Sequence, residues 1–273
     1  MPVVALDVWL RKSLDDPIAM ALWDRFRHYS LSAYEKAYKR LGVHFDAFGG
    51  ESFALPFVKE ALTALQEDKL TYHSEGAEMV DLSAHKLPNV MVRKKDKTSL
   101  YMTRDIAEAL RRQQSLGPID EMVYVAGAEQ RTHFRQLFQI LQKMSKIEKG
   151  CDYRHVQFGA IRGMSTRKGT AIFLDDIIDE CRDHVYAVMQ EKGDLIRDIG
   201  KEEAKKVAEK VGLAALYVQD MKARRVKEYD FDWARCLDTN GDTGVMLQYT
   251  HARLCGSTFF DSCDKSMSSQ RRE

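Results

Sequence analysis

The sequence predicts an α/β fold built on a parallel sheet, followed by a helical C-terminal region, and two runs carry that prediction. Glu121-Met-Val-Tyr-Val-Ala126 is an apolar run of strand length that a glycine turn, Gly127-Ala128, delivers into an amphipathic helix. His155-Val-Gln-Phe-Gly159 is a second strand, and a glycine-bracketed loop and another helix follow it. Such a succession of βα units sets the strands parallel and places ligands at their carboxyl ends. From Asp175 onward the pattern is almost wholly helical, over 175–191, about 201–225 and Thr243–Leu254, with the polar tail Asp264–Glu273 expected to fray.

Taken in order, Ile18, Leu22, Phe26, Tyr29, Leu31, Tyr34, Tyr38 and Leu41 recur at helical spacing over residues 15–41, so a long amphipathic helix with core aromatics is expected. Val43–Asp46 reads as a short strand, and Gly49-Gly50 as a loop presenting Glu51 and Ser52. A helix from about Pro56 to Glu67 follows. Leu70–His73, Glu78–Leu82 and Val90–Arg93 alternate and read as a small antiparallel group. Ser99–Tyr101 is a strand end, Thr103 a candidate N-cap, and Arg104–Gln114 a helix with Ile106, Ala107 and Leu110 inward. Gln130–Met144 carries a broad apolar face of Phe134, Leu137, Phe138, Ile140, Leu141 and Met144.

With 273 residues and 44% hydrophobic content the chain is long enough for one large or two modest folded domains. Its net charge of +1 argues against a nonspecific coat for nucleic acid, and no DNA partner is expected, yet local cationic clusters such as Lys222–Lys227 can still hold a phosphate backbone. The five cysteines are widely spaced, with neither zinc-ligand spacing nor a disulfide framework, so no metal is expected and reduced thiols in the cytoplasm are. The apolar start MPVV is too short for a membrane span and lacks a signal-peptide pattern.

The chemistry centres on Arg162-Gly163-Met164-Ser165-Thr166-Arg167-Lys168-Gly169-Thr170. Two glycines let the backbone turn sharply, while hydroxyls and cations gather on one loop, as anion binding requires. Composition alone favours a charged surface turn. Lys143-Met-Ser-Lys146 has similar letters but closes a helix and lacks the glycines, so it reads as structural.

GMSTRKGT followed by FLD resembles the nucleotide-binding signature loop of eukaryotic-type arginyl-tRNA synthetases. WDRFRHYSLSAYEKAYKRLGVHFDAFGGES, SLYMTRDIAEA, YVAGAEQRTHFRQLFQIL and DTGVMLQYTHARL resemble further motifs of that family in the same order, from about Trp23 to Ser257. One departure is Arg131, which stands in EQRTH where many members read EQDLH. The resemblance implies a Rossmann-like class I synthetase catalytic core, partial, over 1–174, with an inserted connecting segment at about 43–97 and a helical remnant of stem-contact and anticodon-bundle regions over 175–273. It implies an arginine pocket of Glu51, Tyr101, Asp105 and Gln130, the carboxylate of Asp105 meeting the planar guanidinium. It also implies a site for phosphate or the tRNA 3′ end at Gly163, Met164, Ser165, Thr166, Arg167 and Lys168.

No His-Ile-Gly-His helix precedes Trp23. ATP would then be held from one side only, and amino-acid activation is expected to fail. The combination resembles the fungal arginine-containing cyclodipeptide synthases, transferases of secondary metabolism that make a diketopiperazine from arginyl-tRNA and a second aminoacyl-tRNA without a cofactor. That reading makes Glu51, Glu129 and His133 the acid/base candidates and Ser52 or Tyr101 an acceptor or donor, although His133 reads more readily as a partly buried helix residue. The alternatives are a noncatalytic synthetase paralogue that binds arginine or tRNA in regulation, and a piece of a synthetase whose first half is encoded elsewhere.

Overall fold

A computed structural model describes residues 16–162, 173–192, 194–230 and 241–269. In chain order the elements are α1 (Pro17–Arg40), α2 (Glu51–Ala54), α3 (Val58–Glu67), β1 (Thr71–Ser74), β2 (Ala77–Val80), β3 (Val90–Arg93) and α4 (Tyr101–Leu116). There follow β4 (Glu121–Gly127), α5 (Arg131–Lys143), β5 (Asp152–Phe158), β6 (Ile161–Arg162), α6 (Leu174–Lys192), α7 (Asp194–Ile199), α8 (Lys201–Lys222), β7 (Tyr229–Asp230) and α9 (Gly244–Ser269). They sort into two compact units, one of residues 47–164 and 221–231, the other of residues 1–46, 165–220 and 232–273.

The first unit is the α/β body. Strands β4 and β5 are parallel over seven residues each, from Glu121 opposite Asp152 to Gly127 opposite Phe158, and α5 is the crossover between them. Burial along β4 alternates, leaving Val123 and Val125 exposed, so the run is not the fully buried strand its composition suggested. The core gathers Ile106, Ala107 and Leu110 of α4 with Leu137, Ile140 and Leu141 of α5 and Leu65 of α3, as the periodicity predicted. Strands β1, β2 and β3 form the expected antiparallel group. Its buried Glu78 accepts a hydrogen bond from Gln66 at 2.8 Å and pairs with Arg93 at 3.2 Å.

Helix α4 starts three residues earlier than expected, at Tyr101. Thr103 is not its N-cap: it is buried in the first turn, donates its hydroxyl to Val92 O and accepts from Leu100 N–H at 3.5 Å. The KMSK stretch is structural, since Lys143 ends α5, Met144 is fully buried and Ser145 N–H donates to Asp68 at 2.7 Å. Beyond β5, Gly159 donates to Arg225 O at 2.7 Å, and a Cβ at Gly159 would collide with the Lys227 backbone. Strands β6 and β7 then pair in parallel, and Arg162 grips Asp230 with two bonds, at 3.1 and 2.5 Å.

The second unit is helical. Asp16 caps α1 by accepting from Ile18 and Ala19 N–H, with Pro17 at the first helical position. Contrary to the expectation of a core aromatic face, α1 has no buried residue, and Ile18, Phe26, Tyr29 and Tyr34 are all exposed. Nor is Val43–Asp46 a strand: Phe45 turns back to stack edge-on against Tyr38, at 4.7 Å. Arg40 at the end of α1 binds Asp175 and Asp179 of α6 and Glu209 of α8 at 3.0, 2.7 and 2.9 Å. Small residues Ala204, Ala208, Gly212 and Ala215 line the buried face of α8, and a Cβ at Gly212 would meet the Cys181 backbone at 2.9 Å. Helix α9 continues to Ser269, beyond the point at which the polar tail was expected to fray.

Candidate functional site

All the described residues that the sequence singled out belong to the α/β unit. Helices α2, α4 and α5 and the short turn before α5 carry the proposed pocket and catalytic candidates. Glu51 and Ser52 do not ride on a loop as expected but open α2, with Gly50 extended immediately before them. Tyr101 and Asp105 lie four apart on the first turns of α4 and therefore share one face. Glu129 and Gln130 end the short turn that joins β4 to α5, at the carboxyl end of the strand, and His133 follows in the first turn of α5.

Two polar pairs result. Glu51 Oε2 accepts from Arg104 Nη1 at 3.1 Å; the Glu51 side chain is 62% exposed and that of Arg104 only 9%. The same guanidinium stands 5.6 Å from the centre of the Tyr101 ring, so Glu51 and Tyr101 meet through Arg104. The second pair is Asp105 Oδ2 with His133 Nε2, 2.6 Å apart. An ionised carboxylate only accepts, so the hydrogen belongs on the imidazole. Gln130 is exposed, and the Glu129 carboxylate folds back over Gly127 so closely that a Cβ there would collide with it. Arg131, the departure from EQDLH, is exposed and donates to Gln157 of β5 at 2.9 Å.

Arg104 was missed by the sequence reading, although it sits between two singled-out positions in YMTRD. No spacing in the sequence marked it: its need for a partner follows from its burial on α4, which only the structure shows.

Behind the site, Phe134 is buried and contacts both His133, edge-on at 5.4 Å, and the His155 ring at 4.4 Å. His155 Nε2 lies 3.2 Å from Ala126 O. Tyr124 packs on Phe134 and Phe138, and burial pushes its hydroxyl up to about 12, so it stays neutral and serves packing. On the same helix as Asp105, Glu108 takes bonds from Arg111 and Arg112 at 2.8 and 3.0 Å. Burial acts to raise its carboxyl, but the two guanidinium groups outweigh that and hold it below the usual carboxylate range.

A cavity of about 300 Å³ is bounded by Arg135, Phe138, Gln142 and Tyr153, and includes none of the singled-out residues. Tyr153 is the second residue of β5, at its amino end, whereas ligands of parallel sheets bind at the carboxyl ends. The candidate site is therefore the Glu51–Arg104–Tyr101 and Asp105–His133 cluster. The loop residues Gly163 to Lys168 lie outside the described residues.

Comparison with known proteins bears on what this cluster does. The family described as tRNA synthetases class I (R), catalytic domain, matches residues 7–233. A probable cytoplasmic arginine–tRNA ligase of Dictyostelium discoideum is 44% identical over 241 residues, which is 88% of this chain and 40% of that protein. The cytoplasmic and mitochondrial arginine–tRNA ligases of Saccharomyces cerevisiae are 38% and 40% identical, over 92% and 88% of this chain and 41% and 37% of their own lengths. The chain thus spans about 40% of the length of these curated relatives. An arginyl-tRNA synthetase structure from Plasmodium falciparum shares the fold, with a TM-score of 0.78 at 22% identity, over 90% of this chain and 42% of that one.

These findings overturn the expected cyclodipeptide synthase. Relatives at 38–44% identity are named arginine–tRNA ligases, so the transferase assignment, the diketopiperazine product, the second aminoacyl-tRNA and the place in secondary metabolism are all withdrawn. The expectation failed because it gave decisive weight to motifs not present in the chain. The residues that are present follow the ligase pattern.

Proposed function

Because this chain belongs to the catalytic-domain family of class I (R) tRNA synthetases, we propose that it carries the arginine-recognising part of an enzyme that attaches arginine to tRNA. The observation that carries this reading is the 44% identity to an arginine–tRNA ligase across 88% of the chain. Joining an amino-acid carboxylate to a tRNA hydroxyl is uphill in water, and we assign its coupling to ATP. Tyr101 and Asp105 on one face of α4, with Gln130 and Glu51, form the amino-acid pocket in this proposal. Asp105 supplies the negative charge that selects a guanidinium, because a planar cation is best held by a carboxylate in hydrogen-bonding reach. Glu51, fixed by Arg104, supplies a second carboxylate for the positive end of the amino acid.

We assign triphosphate or tRNA 3′-end contacts to Gly163, Met164, Ser165, Thr166, Arg167 and Lys168 from their sequence alone, and catalytic duties at Glu129 and Ser52 stay open on the same footing. Residues 1–174 and 175–273 remain our proposed functional division. The partner is tRNA, and the cytoplasm is the compartment proposed, although relatives of this chain are named for both cytoplasm and mitochondrion. Among the described residues no helix is long and apolar enough to cross a membrane.

Titration calorimetry with L-arginine and with L-citrulline, its neutral isostere, tests the pocket. Charging of tRNA with radiolabelled arginine, with and without ATP, tests the reaction. Arginine is expected to bind, citrulline to bind at least tenfold more weakly, about 1.4 kcal/mol, and Asp105→Asn to abolish the difference. Equal binding of the two amino acids overturns the reading.

A further inference from the structure

We propose that His133 is a positioning residue for arginine recognition: its imidazole holds the Asp105 carboxylate in the orientation that receives the guanidinium, and it is not itself the group that meets the substrate. The proposal rests on the arginine pocket proposed above.

The order of the two groups decides between roles. In a catalytic Asp–His pair the carboxylate sits behind and the imidazole faces the reacting atoms. Here exposure runs the other way, with the Asp105 side chain 41% exposed and that of His133 28%. The carboxylate is the outward group and the imidazole its support. The bond is short, 2.6 Å, as charge-assisted bonds are, and it fixes one carboxylate oxygen, Oδ2. Oδ1 is left for a ligand.

His133 is itself held. It lies in the first turn of α5, and its ring meets Phe134 edge-on at 5.4 Å and 84°. Phe134 is 7% exposed and packs against Tyr124, Phe138 and His155, so the ring that backs Asp105 is tied to the core between α5 and β5. A carboxylate as open as Asp105 would otherwise turn among its rotamers and lose that freedom whenever a guanidinium arrived. Ordering it during folding removes the cost from binding. By donating through Nε2 to Oδ2, His133 does this while leaving Oδ1 open to the guanidinium.

Two substitutions separate positioning from bulk. A glutamine amide reaches the place of Nε2, whereas an asparagine amide reaches only the place of Nδ1, on the side of the ring away from the bond to Asp105. Calorimetry of the full chain with L-arginine and L-citrulline is run for wild type, His133→Gln and His133→Asn, alongside thermal unfolding. His133→Asn is expected to lose about tenfold in arginine affinity, the scale of one hydrogen bond to a charged group, with citrulline binding unchanged. His133→Gln is expected to restore arginine binding to within about twofold of wild type.

A merely structural His133 would lower the melting temperature in both variants and leave the ratio of arginine to citrulline untouched, and that result overturns the proposal. So does a His133→Gln variant as defective as His133→Asn. A wild-type protein that does not distinguish the two amino acids instead removes the pocket on which the proposal stands.

Discussion

Arg104 reaches Glu51 across 53 positions of sequence, a 3.1 Å bond between a nearly buried guanidinium and a carboxylate open to solvent. The buried partner fixes the exposed one, so the position of Glu51 on the short helix α2 is inherited from the core helix α4. Removing the cation should therefore disturb the site more than the fold. Arg104→Leu keeps the apolar stem against Tyr101 and should weaken arginine binding roughly tenfold while shifting stability by about 1 kcal/mol. Wild-type arginine affinity in that variant, measured by calorimetry, would make the pair a fastening only.

Glu108 provides a pH signature. Its folded carboxyl lies below the usual value of 4.5 because Arg111 and Arg112 outweigh burial. Such a group adds stability that is fully present above 4.5 and is lost as pH falls through the depressed folded value. Glu108→Gln should cost about 1 kcal/mol at neutral pH and less under acid, seen as converging urea midpoints for variant and wild type below pH 4. Parallel curves down to that pH would show that the cluster is not an acid-labile contact.

The triple pairing of Arg40 makes a mechanical prediction for the helical unit. Arg40→Ala leaves Asp175, Asp179 and Glu209 to repel one another, although Arg182 still holds Asp179 at 2.9 Å. Because Asp175 and Asp179 are nearly half exposed, screening limits the loss to about 1–2 kcal/mol, and added salt should reduce it. Denaturant unfolding at low and high salt checks both the size and the trend.

The proposed tRNA partner gives the basic turn at the end of α8 a testable role. Lys222, Arg224, Arg225 and Lys227 are all exposed, and the Gly159–Arg225 backbone bond pins the turn to the end of β5. Replacing Arg224 and Arg225 by alanine should lower the slope of log affinity against log salt by about one unit for each phosphate left without its cation. Replacing Lys205 and Lys206, already engaged with Glu202 and Glu203, serves as the control. Equal slopes for the two double variants in filter binding would remove the turn from the interface.

Much of the α/β body was legible because its signals are local and periodic. The apolar face of α5, the inward set of α4 and the three short strands after Leu70 all follow from spacing alone. Periodicity names the face of a helix that can be buried and not whether anything covers it, which is why Phe26 and Tyr29 of α1 were misread as core. Val43–Asp46 failed for a related reason: strand-forming residue types mean little without a neighbouring strand, and Phe45 found Tyr38 instead. At the candidate site, the motif letters singled out Glu51, Tyr101 and Asp105, but the pairings with Arg104 and His133 join residues 53 and 28 positions apart, beyond the reach of spacing rules.

The clasp of Arg162 on Asp230 joins positions 68 apart, and the strands carrying them run side by side. Because those strands are parallel, the chain reaches β7 only by a crossover, and residues 221–230 already belong to the α/β unit. A segment anchored in this way can be lengthened, shortened or exchanged without rethreading the sheet, since the entropy of closing a loop grows only with the logarithm of its length. The crossover is thus a natural seam for grafting: a linker of about a dozen residues joining residue 162 to residue 221 would test whether the proposed arginine pocket folds without residues 165–220, and a relative's equivalent segment could be sewn in at the same two points.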